Sequence, residues 1–531
     1  MAVYAPHGNR AVAGGGHRSD VAGVGETTAE GNRHAGGIGM THVVIVGGGI
    51  GGLAAAARLA HAGYRVTLLE QRAQLGGRVG LFERDGFRFD TGPTLLMMLD
   101  PLEKLFRDLH RRLEDYLQPV LLNPSYRVFY ADGTRFDSSP CIASMVREIA
   151  QKMSPSDVPG YLRLMADLSA MLHDVVPAFV RRNYRSPFDL LGARQIRLLA
   201  KHRLLANLYR RVRRYTRDPR LQMLVTFQTM YLGLSPLQAP WVYGILTYME
   251  SGEGVWFPRG GMYQLVRALE TLAREENVQI RTGERVEEVM IESGRAVGVR
   301  LASGETIKAD VVVLNTDVPT AYQNMLPPSN QASRKWRNSC SALVFLIGYN
   351  GKLPELLHHN VHFSGDFERN LQEIFVQKTV PEDPSFYTCL SVRTEPSDAP
   401  EGSENLYVLV PVPNRSGQDA TAVKDEVLQK VLSRLEREVG LRPEGVRFVH
   451  HISPADWEAM GLWQGAAFGL SHDFFQSTCF RPSNRAPFDG VYFVGASTVP
   501  GNGIPMVLIS AELLQQRIEQ ETGVRRGKGV K

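Results

Sequence analysis

Three glycines, Gly47, Gly49 and Gly52, stand in the spacing G-x-G-x-x-G, with Ile50 and Gly51 between them and Glu70 further along. Glycines at these intervals suit backbone that must come close to a phosphate. The first permits a tight turn, the second lets main chain approach a pyrophosphate, and the third lets a helix pack closely on a strand. A carboxylate at the position of Glu70 can accept hydrogen bonds from both hydroxyls of a ribose. The chemistry predicted is dinucleotide binding, although the motif alone also reads as a glycine-rich loop with no ligand. The flanking elements decide between the two. Residues 42–46 read HVVIV, a short apolar run suited to a buried parallel strand. Residues 53–62 are rich in Ala and Leu and predict a helix, with Gly63 placed to end it. Residues 65–69 predict a second strand, which Glu70 ends. Together they make a β-α-β unit whose helix N-terminus turns free N–H groups towards an anion.

Directly after Glu70 the chain runs Gln71-Arg72-Ala73-Gln74-Leu75-Gly76-Gly77-Arg78. A Gly-Gly-Arg turn brings more backbone to the same pyrophosphate and adds a guanidinium to meet its charge. Arg78 also reads as an ordinary surface arginine. This turn resembles the two-dinucleotide-fold FAD proteins of the amine oxidase and carotenoid desaturase superfamily. Residues 87–94, FRFDTGPT, resemble the segment that passes near the isoalloxazine there. At the far end, residues 491–494 (VYFV) predict a buried strand, followed by GASTVPGNGIPM over 495–506 and a helix over 507–518. Pro505 suits a first helical turn, where its missing N–H costs little. In the resembled fold this helix aims its positive end at the flavin pyrimidine edge, where it stabilises the charge of reduced flavin.

Residues 227–261 read FQTMYLGLSPLQAPWVYGILTYMESGEGVWFPRGG. With the closing GASTVPGNGIPMVL, this segment resembles bacterial-type phytoene desaturases. The resemblance spans roughly residues 42–520. Amine oxidases of the superfamily usually carry an acidic residue after the glycine of the last flavin motif, whereas Ala496 follows Gly495 here. The resemblance implies an α/β fold: a Rossmann-like FAD domain of two dinucleotide-binding folds, with a discontinuous mixed-sheet and helical domain for substrate and membrane. It implies FAD as cofactor and an acyclic carotenoid as substrate. A CH2–CH2 bond flanked by alkenes loses a hydride to flavin N5 and a proton to a base or water, and a quinone or oxygen accepts the electrons. The residues expected to line the cofactor are Gly47, Gly49, Ile50, Gly51, Gly52, Glu70, Gln71, Arg72, Gly76, Gly77, Arg78, Val286, Gly495, Ala496, Gly503, Ile504, Pro505 and Met506. Asp90, Glu253 and Asp317 are candidates for the base, chosen for nearness to these motifs; each also reads as a structural carboxylate. The alternatives left open are desaturation of another acyclic carotenoid, carotenoid isomerisation, amine oxidation, and a prenyl-protein carrier of the GDP-dissociation-inhibitor type.

Residues 221–249 hold no charged side chain. That length suits a membrane span, but Pro236 and Pro240 break it, so two helices around an apolar tunnel are expected, with the break at Ser235-Pro236. Just upstream, between residues 181 and 220, Lys and Arg far outnumber the acids Asp189 and Asp218, with leucines interleaved. Such a stretch fits an anionic membrane surface, and also a solvated helix face. The chain of 531 residues has 60 basic and 55 acidic side chains, for a net charge of +5. That is too mild to argue for nucleic acid. The four cysteines show neither a CxxC nor a Cys/His pair at metal-ligand spacing, which predicts no metal site, no disulfides and a reduced compartment. The protein is expected on the cytoplasmic side, peripherally bound to membrane.

Expected domains are an extension over 1–40 too glycine-rich to fold, FAD-binding parts over 41–95, 251–320 and 481–522, a helical substrate and membrane region over 96–250, a substrate domain over 321–480, and a basic tail over 523–531. Met40, just before the first strand, is expected to be the true start of translation.

Overall fold

The computed structural model describes residues 40–523 apart from Arg185, Asn330, Ala332 and Ser333. Most of the expected N-terminal extension and basic tail lie outside the described residues, and with them the expectation about Met40. A five-stranded parallel sheet forms the first layer, in the order Val491–Phe493, Val311–Leu314, His42–Val46, Arg65–Glu70, Gln279–Thr282. Its inner strands His42–Val46 and Val311–Leu314 are short apolar runs buried on both faces, as parallel sheets require. Val43, Ile45 and Leu68 point to one face and pack on the helices Ile50–His61, Tyr263–Glu275 and Ile504–Thr522. Val44, Val46 and Leu69 point to the other, where Val286, Val289 and Val299 cover them. Burying each such side chain contributes about 2 kcal/mol.

The strands Val286–Glu292, Arg295–Leu301 and Thr306–Lys308 form a separate antiparallel sheet. Ser293-Gly294 explains this: both take positive φ, at 49° and 81°, and close a hairpin that returns the chain antiparallel.

The second layer is a seven-stranded mixed sheet in the order Val446–Ile452, Ser341–Asn350, Ser403–Val412, Phe386–Cys389, His359–His362, Tyr126–Phe129, Arg135–Ser138. One pairing, Asn360 to Arg127, is parallel. Val427, Val431 and Leu435 of the helix Lys424–Val439 pack on this sheet. Two of its strands come from residues 126–138, inside the stretch expected to be helical.

The uncharged stretch departs further from expectation. In place of two helices it forms four short pieces: Pro219–Leu224, Phe227–Leu232, Trp241–Gly244 and Ile245–Gly252. Side chains compete for the backbone there. Thr226 Oγ1 donates to Gln222 O at 2.7 Å, and Gln228 Nε2 donates to Leu224 O at 2.9 Å. Gly233 then takes φ +62° and turns the chain ahead of the two prolines. Among the described residues no helix is long and apolar enough to cross a membrane.

Candidate functional site

The helix Ile50–His61 begins at Gly49, with no side-chain cap and no acid in its first turn. Its first N–H groups are left for a ligand, and its positive end is open. Gly49 forms a bridge to Gly76, and Gly76 N–H donates to Gly48 O at 2.9 Å. This brings two glycine turns face to face. A Cβ on Gly77 would lie 3.2 Å from Gly49 Cα, and one on Gly52 only 2.0 Å from Gly47 O. Gly52 therefore lies under the loop as the close-packing residue.

Glu70 Oε2 accepts from Gly48 N–H at 2.8 Å and Oε1 from Arg72 N–H at 3.0 Å. Each oxygen keeps a lone pair for a further donor. Arg72 Nη2 donates to Gly77 O at 2.7 Å, bracing the second glycine turn.

A second open helix start faces the same space. Ile504–Thr522 begins at Gly503, which has φ +96°, no side-chain cap and no acid in the first turn. Between the two helix starts stands Asn315, at the end of the strand Val311–Leu314. Its Nδ2 donates to Gly47 O at 3.1 Å, and its Oδ1 lies 2.7 and 2.6 Å from where a Cβ on Gly51 or Gly495 would sit. One amide thus fixes how closely the first and last segments of the chain approach.

These groups line a cavity of about 780 Å³ that runs from the parallel sheet to the mixed sheet. Of the expected residues, Gly47, Gly49, Ile50, Gly51, Glu70, Gln71, Arg72, Gly76, Gly77, Arg78, Val286, Gly495, Ala496, Gly503, Ile504 and Pro505 lie on its wall. Met506 does not: it packs against the cluster of Met98, Leu172, Val176 and Met249, because the first helical turn points it away. Towards the mixed sheet the wall is mostly apolar, with Phe227, Met230, Phe363, Phe386, Leu409 and Trp457. Its tyrosine hydroxyls already have partners. Tyr231 donates to buried Glu250 at 2.8 Å, Tyr407 to Gly92 O at 3.2 Å, and Tyr387 shares a 2.7 Å bond with Thr94.

Of the three expected bases, Asp317 alone reaches the cavity. It accepts from Trp463 N–H at 3.0 Å, and burial raises its pKa against the pull of that bond, Ser497, Arg78 and Arg481. Asp90 accepts instead from the N–H groups of Met262 and Tyr263, at 2.8 and 2.9 Å, and so caps the helix Tyr263–Glu275. Glu253 ends the helix Ile245–Gly252 on the surface, away from the cavity.

Burial lifts the Asp90 pKa to about 6. A folded-state value above the unfolded one means the folded protein binds that proton more tightly. This contribution to stability is present at pH 4 and is lost as pH rises through 6, by about 3 kcal/mol. Asp90→Asn is expected to flatten that part of the profile, read as urea midpoints at pH 4.5 and 7.

Sequence reasoning missed Asn315 as a spacer and Arg481 as a brace. Arg481 is 3% exposed and donates to the carbonyls of Ala496 and Thr498 at 2.6 and 2.9 Å, holding the last motif in place. Its position in an irregular segment carries no spacing signal.

Cradle, paired helix starts and two-layer sheet arrangement are those of a dinucleotide-binding fold with a second, mixed-sheet layer stacked on it. The chain belongs to the flavin containing amine oxidoreductase family, whose model matches residues 50–514. It is therefore an oxidoreductase with FAD as cofactor. It is 41% identical to a zeta-carotene-forming phytoene desaturase of Myxococcus xanthus, over 90% of this chain and 93% of that one. It is 35% identical to a phytoene desaturase of Neurospora crassa, over 90% and 84%. Among solved structures, an oxidoreductase from Methanosarcina mazei has the same fold, with a TM-score of 0.61 at 18% identity over 90% of this chain and all of that one.

Proposed function

We propose that this chain is an FAD-dependent carotenoid desaturase that dehydrogenates phytoene, or a close acyclic carotenoid, towards lycopene. The observation that carries the reading is one cavity joining a dinucleotide cradle to a wall with no charged side chain from the mixed sheet. A wall built from Phe227, Met230, Phe363, Phe386 and Leu409, with its tyrosine hydroxyls already bonded, suits a hydrocarbon. Relatives named for phytoene desaturation support the same substrate class.

The residues fit the cofactor. Glu70 would hold the ribose, the Gly49 and Gly76-Gly77 backbone with the first helix start the pyrophosphate, Val286 the adenine, and residues 503–505 the ring system. Bound there, FAD supplies a two-electron acceptor that takes a hydride from a C–H bond. The chain orients the polyene on its apolar wall and keeps water from it. Asp317 is the proposed acceptor of the proton released from the neighbouring carbon. A quinone or oxygen would serve as the final electron acceptor.

The test is anaerobic incubation of flavin-loaded protein with phytoene in liposomes, with and without quinone, read by chromatography. The expected result is a product of longer conjugation that accumulates with quinone. Flavin-loaded protein that leaves phytoene unchanged under both quinone and oxygen overturns the reading. Glu70→Ala is expected to weaken FAD retention by about tenfold to a hundredfold, or about 1.4–2.7 kcal/mol. Flavin absorbance after gel filtration measures it.

We also propose peripheral binding to an anionic membrane on the cytoplasmic side. Exposed Arg194, Arg197 and Arg203 stand beside exposed Ile196 and Leu205, and Phe188 is 77% exposed. At about 1 kcal/mol per basic residue, reversing those three arginines to Glu should weaken binding to anionic vesicles by roughly a hundredfold. Sedimentation with vesicles reads the loss. Equal binding to neutral vesicles in high salt would sink the electrostatic account.

A further inference from the structure

A cluster outside the flavin cradle brings three metal-ligating side chains together. His359 on the strand His359–His362 lies opposite Cys389 on the strand Phe386–Cys389, and His358 precedes it. All three are buried, at 5% exposure for His358, 0% for His359 and 3% for Cys389. Their donor atoms lie within 4.8 Å of one another.

The hydrogen bonds settle which ring nitrogens are free. His358 Nδ1 lies 2.7 Å from Thr394 Oγ1, and His359 Nδ1 lies 2.7 Å from Tyr387 Oη. Neither Nε2 has a partner among the described residues. With Nδ1–H donating to a hydroxyl, each Nε2 presents a bare lone pair. That is the tautomer a metal-bound imidazole takes when its other nitrogen is oriented by a hydrogen bond. Buried polar atoms left without a partner call for a water or an ion. A water could satisfy two nitrogens, but the third donor here is sulfur.

The charge beside Cys389 has the right sign. Arg88 alone faces both Asp90 and Asp398, at 3.7 and 3.2 Å, so the three groups carry one surplus negative charge. Both carboxylates act electrostatically on Cys389.

We propose that His358, His359 and Cys389 form a zinc site. Zinc suits two neutral imidazoles and one thiolate, and a water would complete a tetrahedron. On binding, the Cys389 thiol releases its proton to solvent and a Zn–S bond forms, with no change of oxidation state. The resulting charge of +1 offsets the surplus of the Asp90–Arg88–Asp398 group. The ion would tie two strands of the mixed sheet together beside Tyr387 and Thr94 of the cavity wall. Spacing in the sequence hid the site because its ligands meet across a sheet.

The experiment uses untagged, flavin-loaded protein passed over chelating resin and then equilibrated with Zn²⁺ or Co²⁺. The expected content is roughly one ion per chain, and Co²⁺ should give a thiolate-to-cobalt charge-transfer band together with visible d–d bands. Cys389→Ala should abolish the charge-transfer band, and His359→Gln should lower metal content at least tenfold, with flavin content and circular dichroism reporting the fold. Wild-type protein that takes up no metal, or cobalt bound without a charge-transfer band, overturns the proposal even if both variants fail to fold. So does undiminished metal in both folded variants. None of these outcomes bears on the desaturase reading, which rests on product formation.

Discussion

Gly52→Ala should leave a protein that cannot keep FAD. The added Cβ would lie 2.0 Å from Gly47 O and 3.1 Å from Asn315 Nδ2, and the first of these is backbone with no rotamer to retreat into. Either the helix Ile50–His61 slides off its strand, or the Gly47 turn moves. Both outcomes misplace the helix start that faces the pyrophosphate. An Ala at a helical position otherwise favours the helix over Gly, so propensity pulls the other way. The contact wins, because propensity is worth about 1 kcal/mol and overpacking against main chain costs more. Retention should fall about a thousandfold, equivalent to about 4 kcal/mol. Flavin absorbance after desalting, with circular dichroism as a control for folding, measures it. A yellow variant with full occupancy would remove the close-packing role assigned to Gly52.

Arg481→Met should be the most damaging substitution outside the glycine loops. The guanidinium is 3% exposed and donates to four carbonyls: Ala496 and Thr498 at 2.6 and 2.9 Å, and Gln476 and Ser471 at 3.3 and 3.4 Å. Burial lowers its pKa to about 10, which still leaves it charged at neutral pH. Met fills similar space but leaves those acceptors without a donor in a dry interior. Hydrogen bonds to a charged group are worth about 1.5–3 kcal/mol each, so a net loss of about 4 kcal/mol is expected. Loosening residues 496–498 should also release flavin. Arg481→Lys should fail to rescue, because an ammonium cannot reach carbonyls spread around a planar fork. The urea midpoint and flavin content of both variants check this, and a Lys variant of wild-type stability would refute it.

What could be read beforehand was local chemistry. Gly47, Gly49, Gly52 and Glu70 announce a dinucleotide cradle because their spacing is set within one β-α-β unit. Gly503 to Pro505 announce the second helix start for the same reason. Positions whose meaning depends on a distant partner were hidden. Asp90 belongs to a motif that resembles a flavin contact, yet its oxygens are taken by the N–H groups of Met262 and Tyr263. Asn315 looks like the end of a strand until Gly51 and Gly495 are brought against it. The break of residues 221–249 into short turns depended on Thr226 and Gln228 bonding back to the main chain, which hydropathy does not report.

The order of strands in the parallel sheet has a consequence for how the protein is made. His42–Val46 sits at the centre, but Val491–Phe493, at the sheet's edge, emerges from the ribosome long after it. A growing polypeptide therefore has the glycine cradle long before it has residues 495–505 to close it. Full closure of the cradle waits for that last motif, and a premature stop shortly before residue 495 is expected to leave a product that holds flavin weakly.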